Sequence, residues 1–91
     1  MERLEATITG QVQGVTYRDF ACTTARKLGL TGFVENVRGG AVHLIAEGAH
    51  EKLEALHAHL YEGPLFAHVE KVEVLWGTAT GEYHSFEIRY N

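Results

Sequence analysis

The chain has 91 residues, 45% of them hydrophobic, and a formal net charge of −4 from eight basic and twelve acidic side chains. That length holds one domain of two packed layers and excludes a multidomain machine. The acidic balance disfavours bulk binding to nucleic acid or anionic lipid, so any bound anion must be held by a local focus of positive potential. Cys22 is the only cysteine, which excludes an internal disulfide and suits a reducing compartment. The opening Met1-Glu2-Arg3-Leu4-Glu5 has no apolar run of signal-peptide type, and no stretch nears the roughly 20 apolar residues that span a bilayer. A cytoplasmic monomer with no membrane or nucleic-acid partner is expected.

Leu4 to Val12 alternates, with Leu4, Ala6 and Ile8 on one side and Glu5, Thr7 and Thr9 on the other, the pattern of a half-buried strand. Gln11 to Thr16 follows as a loop containing Gly14. Thr16-Tyr17-Arg18-Asp19 has the spacing of a capping box, with Asp in place of the usual Glu or Gln. It opens a helix on which Tyr17, Phe20, Ala21, Thr24, Ala25 and Leu28 recur at helical spacing. Gly29 is the expected stop, with Leu30 folding back onto the last turn. Thr31 to Val37 is a second strand: Gly32, Val34 and Asn36 share one face, and Phe33, Glu35 and Val37 the other.

Arg38-Gly39-Gly40 predicts a tight hairpin into a third strand, Ala41 to Glu47, with Val42, Leu44 and Ala46 on one side. Ala49, Leu53, Leu56 and Leu60 mark a second amphipathic helix ending near Gly63. Val69 to Trp76 is a fourth strand with Val72, Val74 and Trp76 on one face, and Phe86, Ile88 and Tyr90 form the inward face of a short last strand. The order and the single apolar stripe on each helix predict an α+β fold, a ferredoxin-like βαββαβ sandwich. Two helices cover one face of an antiparallel sheet with a short extra C-terminal strand, in a single domain over residues 1–91. That fold hosts many activities and by itself names none.

The segment Gln13-Gly14-Val15-Thr16-Tyr17-Arg18 joins a strand to a helix N-terminus. N–H groups of a first helical turn point outward, and the helix dipole favours negative charge there. Gly14 lets the chain curl so that successive N–H groups converge on one anion. A guanidinium at Arg18 binds phosphate through two parallel hydrogen bonds. The same residues also fit an ordinary strand-to-helix turn with Arg18 solvated or paired with a glutamate, and spacing alone favours that plainer reading.

A resemblance alters the balance. Ile8 to Arg18 resembles the first signature of the acylphosphatase family, a G-x-V-Q-G-V core followed by an aromatic and then Arg. Gly32-Phe33-Val34-Glu35-Asn36 with Gly40, Val42 and Gly48 resembles the second, and Phe86-Glu87-Ile88-Arg89 resembles the family's ending. The resemblance covers nearly the whole chain. It implies hydrolysis of a small-molecule acyl phosphate to a carboxylate and inorganic phosphate. The phosphoryl group is then held by the backbone of Gln13, Gly14, Val15, Thr16, Tyr17 and Arg18 and by the Arg18 side chain, while Asn36 places the attacking water. No metal and no cofactor are implied. The sequence departs from the family pattern at Tyr17, usually Phe, at Glu35, often basic, and at Gly39, commonly Asp. Glu35 and Gly39 bear on the potential and loop mobility near the site.

Other residues carry weaker signals. His50, Glu54 and His57 fall at i, i+4 and i+7 on one helix face, a spacing a metal can use but one that equally fits a solvated face. Cys22, one turn past Arg18, is read as a small core residue rather than a reactive thiol. Trp76, Tyr83 and Tyr90 fit packing better than base stacking in so acidic a chain. Two other functions share the fold, a non-catalytic phosphate-binding module and an RNA-binding domain. Arg18 and Asn36 together favour the hydrolase.

Overall fold

A computed structural model describes residues 1–90. It contains β1 (Glu2–Gln11), α1 (Tyr17–Lys27), β2 (Thr31–Asn36), β3 (Val42–Gly48), α2 (His50–Glu62), β4 (His68–Thr78) and β5 (Phe86–Arg89). The strands form one sheet in the order β4-β1-β3-β2-β5. β1 pairs antiparallel with β3 and β4, and β2 antiparallel with β3. β1 and β2 therefore run the same way with β3 between them, and β3 and β4 likewise enclose β1: two split βαβ units, as expected. β5 adds parallel to β2, with Gly32 opposite Phe86 and Val34 opposite Ile88, so the sheet is mixed rather than wholly antiparallel. The reason is connectivity. β4 and β5 lie at opposite edges, and residues 79–85 cross the sheet at the far end before β5 starts back alongside β2.

Both helices pack on one face. Leu4, Ala6, Ile8, Val34, Val42 and Leu44 of the sheet meet Ala21 and Ala25 of α1 and Leu53, Leu56 and Leu60 of α2, all buried. Each buried leucine contributes about 2 kcal/mol of transfer free energy. α1 ends as its sequence predicts: Leu30 N–H donates to Ala25 O and Gly29 N–H to Arg26 O, the paired bonds of a Schellman motif. Its start departs from expectation. Thr16 is left-handed (φ 62°, ψ 21°) and makes no side-chain cap bond; its hydroxyl donates to Val15 O instead. A capping side chain needs extended backbone at its own residue, so the Thr16–Asp19 capping box does not form.

Tyr17 is buried and its hydroxyl donates to Leu60 O at 2.6 Å. That carbonyl belongs to the last turn of α2, where the partner along a continuing helix would be the N–H of residue 64. Residue 64 is proline and has no N–H. The tyrosine supplies the missing donor and ties the start of α1 to the end of α2. Burial pushes the phenol far above its ordinary pKa, so it stays a donor.

On the opposite face, Phe33 and Ile45 are covered, and Glu47 is only 3% exposed. The Glu47 carboxylate accepts from the N–H groups of Thr80 and Gly81 and from the Thr80 hydroxyl, with Arg3 3.7 Å away. It pins the crossing segment to the sheet. Burial opposes its ionisation, but these donors outweigh burial and hold its carboxyl below the ordinary range. Glu35 also points to this face, where its carboxylate and that of Glu5 bracket His43 at 3.3 and 2.8 Å. Strand alternation thus turns Glu35 to the face opposite Asn36. Trp76, on one face with Val72 and Val74 as expected, and Tyr90, expected on the inward face of β5, are 41% and 75% exposed. Both lie on or just beyond edge strands, where helix cover runs out; Trp76 stacks on His50 instead.

Candidate active site

β1, β2 and β5 end, and β3 and β4 begin, at the same end of the sheet. The loop after β1, the hairpin after β2 and the end of β5 therefore converge although they lie far apart in sequence. A cavity of about 230 Å³ opens there. Gly14, Thr16, Tyr17, Arg18 and Asp19 line it from the loop and the first turn of α1. Val12, Ile88 and Tyr90 line it from the sheet.

Gly14 (φ 75°) and Thr16 (φ 62°) are both left-handed, and Tyr17 begins right-handed helix. Backbone that alternates in hand can turn successive N–H groups toward one side. Glycine adopts this conformation freely, whereas a β-branched threonine gives up about 1–2 kcal/mol for it. The first bond of the helix ladder runs from Phe20 N–H to Thr16 O, which leaves the N–H groups of Tyr17, Arg18 and Asp19 ahead of that ladder at the positive end of the dipole.

Gln13 holds this loop in place. Its side-chain Nε2 donates to Val37 O at 2.9 Å and to Ala41 O at 2.8 Å, the two residues that close the β2–β3 hairpin through Val37 N–H and Ala41 O. The sequence reading uses Gln13 for its backbone alone. Its side chain has the larger structural part, through partners 24 and 28 residues away that no local pattern signals.

Asn36 is the last residue of β2, half-buried and paired with Val42. It shares the helix-side face with Val34, whose β5 neighbour Ile88 lines the cavity, and it stands one pleat further toward the cavity's end of the sheet. Asn36 is not itself one of the lining residues, and neither are Gln13 and Val15. Arg18 is half-buried in the wall. Its guanidinium stacks over Tyr90 at 4.9 Å, and its Nη1 donates to Arg89 O at 3.4 Å, a long bond. Sequence reasoning missed Val12, Asp19, Ile88 and Tyr90 as lining residues. The alternation of Phe86, Ile88 and Tyr90 signals the right face, but only the parallel pairing of β5 brings that face to α1.

The remaining candidates do not assemble a second site. His50 pairs with Glu2 and Glu54, whereas His57 stacks on Tyr61; among the described residues no three side chains form a metal-binding group. Burial pushes the Cys22 thiol up, against the Arg26 charge, so it is no activated thiolate. Tyr83 packs on Phe33 on the face away from the helices, far from a shared surface with Trp76 and Tyr90. No helix among the described residues is long and apolar enough to cross a membrane.

Fold and site together define the class: a ferredoxin-like α+β domain with a turn of left-handed Gly14 and Thr16 before its first helix and an arginine in that helix's first turn. Residues 4–88 match the acylphosphatase family model. An acylphosphatase of Thermus thermophilus is 51% identical over 89% of this chain and 92% of its own length. One of Salinibacter ruber is 44% identical over 97% and 93%. The crystal structure of acylphosphatase from Bacillus subtilis superposes with a TM-score of 0.95 at 31% identity, covering 99% of this chain and all of that one. The chain belongs to the acylphosphatase family and is an enzyme that hydrolyses acyl phosphates.

Proposed function

We propose that the phosphoryl group of the acyl phosphate sits in the Gln13–Arg18 turn, and that hydrolysis proceeds by in-line attack of a water placed by Asn36. Backbone N–H groups and the Arg18 guanidinium bind the phosphoryl oxygens and stabilise the charge on the transferring group. The long Arg18–Arg89 bond gives way readily, because a phosphate oxygen makes a shorter, charge-assisted bond to a guanidinium. The observation that carries this reading is the pair of left-handed residues, Gly14 and Thr16, in the same wall as Arg18.

The Asn36 carboxamide oxygen accepts one hydrogen bond from the water and holds it in line with phosphorus. An amide is no base at neutral pH. None is demanded, because the departing carboxylate has a conjugate acid of pKa about 4 and leaves without a proton. The substrate's own phosphoryl oxygen takes the proton from water. Positioning and fixed positive charge carry the reaction, and no metal enters it.

The test is hydrolysis of benzoyl phosphate, with a chelator present, by Arg18→Ala and Asn36→Ala. Both fold, and kcat falls by about 10²–10³-fold or more, as when a transition-state hydrogen bond is removed. Parental turnover by Asn36→Ala overturns the water-positioning role. Loss of turnover on adding chelator overturns the metal-free reaction.

A further inference from the structure

Arg18, Cys22 and Arg26 recur at i, i+4 and i+8 and form one stripe along α1. The whole stripe faces β5. Arg26 Nε donates to Phe86 O at 2.9 Å, Cys22 Sγ lies 3.6 Å from the same carbonyl, and Arg18 Nη1 donates to Arg89 O at 3.4 Å. A thiol is a weak donor and the Arg18 bond is long, so the Arg26 bond is the strong one of the three. β5 needs such a tie, because it is four residues long and lies at the edge of the sheet beside β2. Phe86 is buried, and the bond to its carbonyl fixes the start of β5 to the last turn of α1. Two plainer parts are open to Arg26. Its charge suits the negative end of the helix dipole, and its Nη2 meets Glu87 at 3.2 Å in an ion pair too exposed to add much stability. Neither accounts for the part-buried bond from Nε to a strand carbonyl.

The other end of β5 is a wall of the active-site cavity. Ile88 and Tyr90 line it, and the Arg18 guanidinium rests on the Tyr90 ring. When a phosphoryl oxygen displaces the long bond to Arg89 O, the ring still holds the guanidinium by cation–π attraction. Resting on the reading of Arg18 as a phosphoryl-binding group, we infer that Arg26 is a positioning residue for the hydrolysis. By holding the Phe86 carbonyl it fixes β5, and through Tyr90 it sets the Arg18 guanidinium in the cavity wall. Arg26 stands at the far end of α1 and does not line the cavity, so its effect on turnover runs through Arg18. Without it Phe86 O keeps the weak thiol contact, and the wall that carries Tyr90 loosens. Misplacing a catalytic group by about 1 Å costs roughly 10²-fold, and a support that is loosened rather than lost costs about tenfold.

The experiment is a double-mutant cycle on kcat/KM for benzoyl phosphate in the parent, Arg26→Met, Arg18→Ala and the double variant. Each is assayed well below its own melting midpoint. Arg26→Met keeps the aliphatic stem and loses the donors. It lowers kcat/KM about tenfold when Arg18 is present and less than about twofold in the Arg18→Ala background, where the group it positions is gone. Its effect on Tm is the same in both backgrounds, which separates positioning from a merely structural bond. Arg26→Lys keeps the charge and one donor for Phe86 O and recovers kcat/KM to within about threefold of the parent. Glu87→Gln weakens the exposed ion pair and stays within about twofold. Should Arg26→Met fail to fold, Arg26→Gln, with a donor of shorter reach, carries the same cycle. Parental kcat/KM in Arg26→Met, an equal loss in both backgrounds, or a loss in Glu87→Gln as large as in Arg26→Met overturns the inference while leaving the proposed hydrolysis intact. Parental turnover by Arg18→Ala overturns the phosphoryl reading and the inference with it.

Discussion

Replacing Tyr17 with phenylalanine removes one oxygen atom and keeps the buried ring. Phe is the usual aromatic at this place in the family pattern, so the ring is not expected to clash. The hydroxyl donates to Leu60 O at 2.6 Å inside the protein, and Pro64 deprives that carbonyl of its next backbone donor. A buried acceptor that loses its partner costs about 1–3 kcal/mol. For a domain of this size each kcal/mol shifts the midpoint by about 4–8 °C, so a 2 kcal/mol loss lowers Tm by roughly 8–16 °C. Thermal melts followed by far-UV circular dichroism measure the shift, and urea titration checks that the m-value is unchanged. Hydrolysis of benzoyl phosphate well below the melting range stays within about twofold of the parent, because the ring still supports the first turn of α1. A melting midpoint within about 2 °C of the parent refutes the reasoning, since the helix end is then satisfied without the phenol.

Glu47→Gln keeps the shape of the side chain but not its charge, and stability at neutral pH falls by about 1–3 kcal/mol as the bonds to Thr80, Gly81 and Arg3 weaken. The folded pKa of Glu47 lies below its ordinary value of 4.5, so its contribution is complete above 4.5 and is lost as pH falls through the depressed folded value. Denaturation curves of the two proteins should therefore approach each other toward acid; a constant gap across that range contradicts the linkage. Gln13→Ala releases the loop from the hairpin and lowers kcat/KM for benzoyl phosphate by about 10–100-fold, the scale of a displaced catalytic geometry. Gln13→Glu has no N–H to offer the two carbonyls and should lose as much; parental kinetics in both variants removes Gln13 from the positioning apparatus.

The architecture was legible wherever one residue's environment is set by its near neighbours. Leu4, Ala6 and Ile8 alternate in sequence and point together into the core, and Gly29-Leu30 close α1 with the two bonds their order implies. Asn36 was placed on the correct face for the same reason, since β2 keeps a strict alternation. Legibility fails where the partner is distant. The Tyr17 hydroxyl finds Leu60, the Gln13 carboxamide finds Val37 and Ala41, and Glu47 finds Thr80; each pair is set by topology and leaves no local mark. The capping box at Thr16 fails for a different reason. Its spacing is right, but the turn takes a left-handed residue there, and the concavity at the helix mouth prevails over the local cap. Tyr90 is legible as an alternating position on the face of Phe86 and Ile88, but nothing in the strand pattern reveals that it lies at an open edge beside Arg18.

The most direct measurement follows the oxygen of the attacking water. Benzoyl phosphate hydrolysed by the enzyme in water enriched in oxygen-18 should give labelled inorganic phosphate and unlabelled benzoate, because a phosphoryl group bound by Arg18 and the Gly14–Thr16 turn is attacked at phosphorus and the C–O bond is never broken. Label recovered in benzoate would mean attack at the carbonyl carbon, and would contradict the assignment of this turn as the place where phosphoryl transfer occurs.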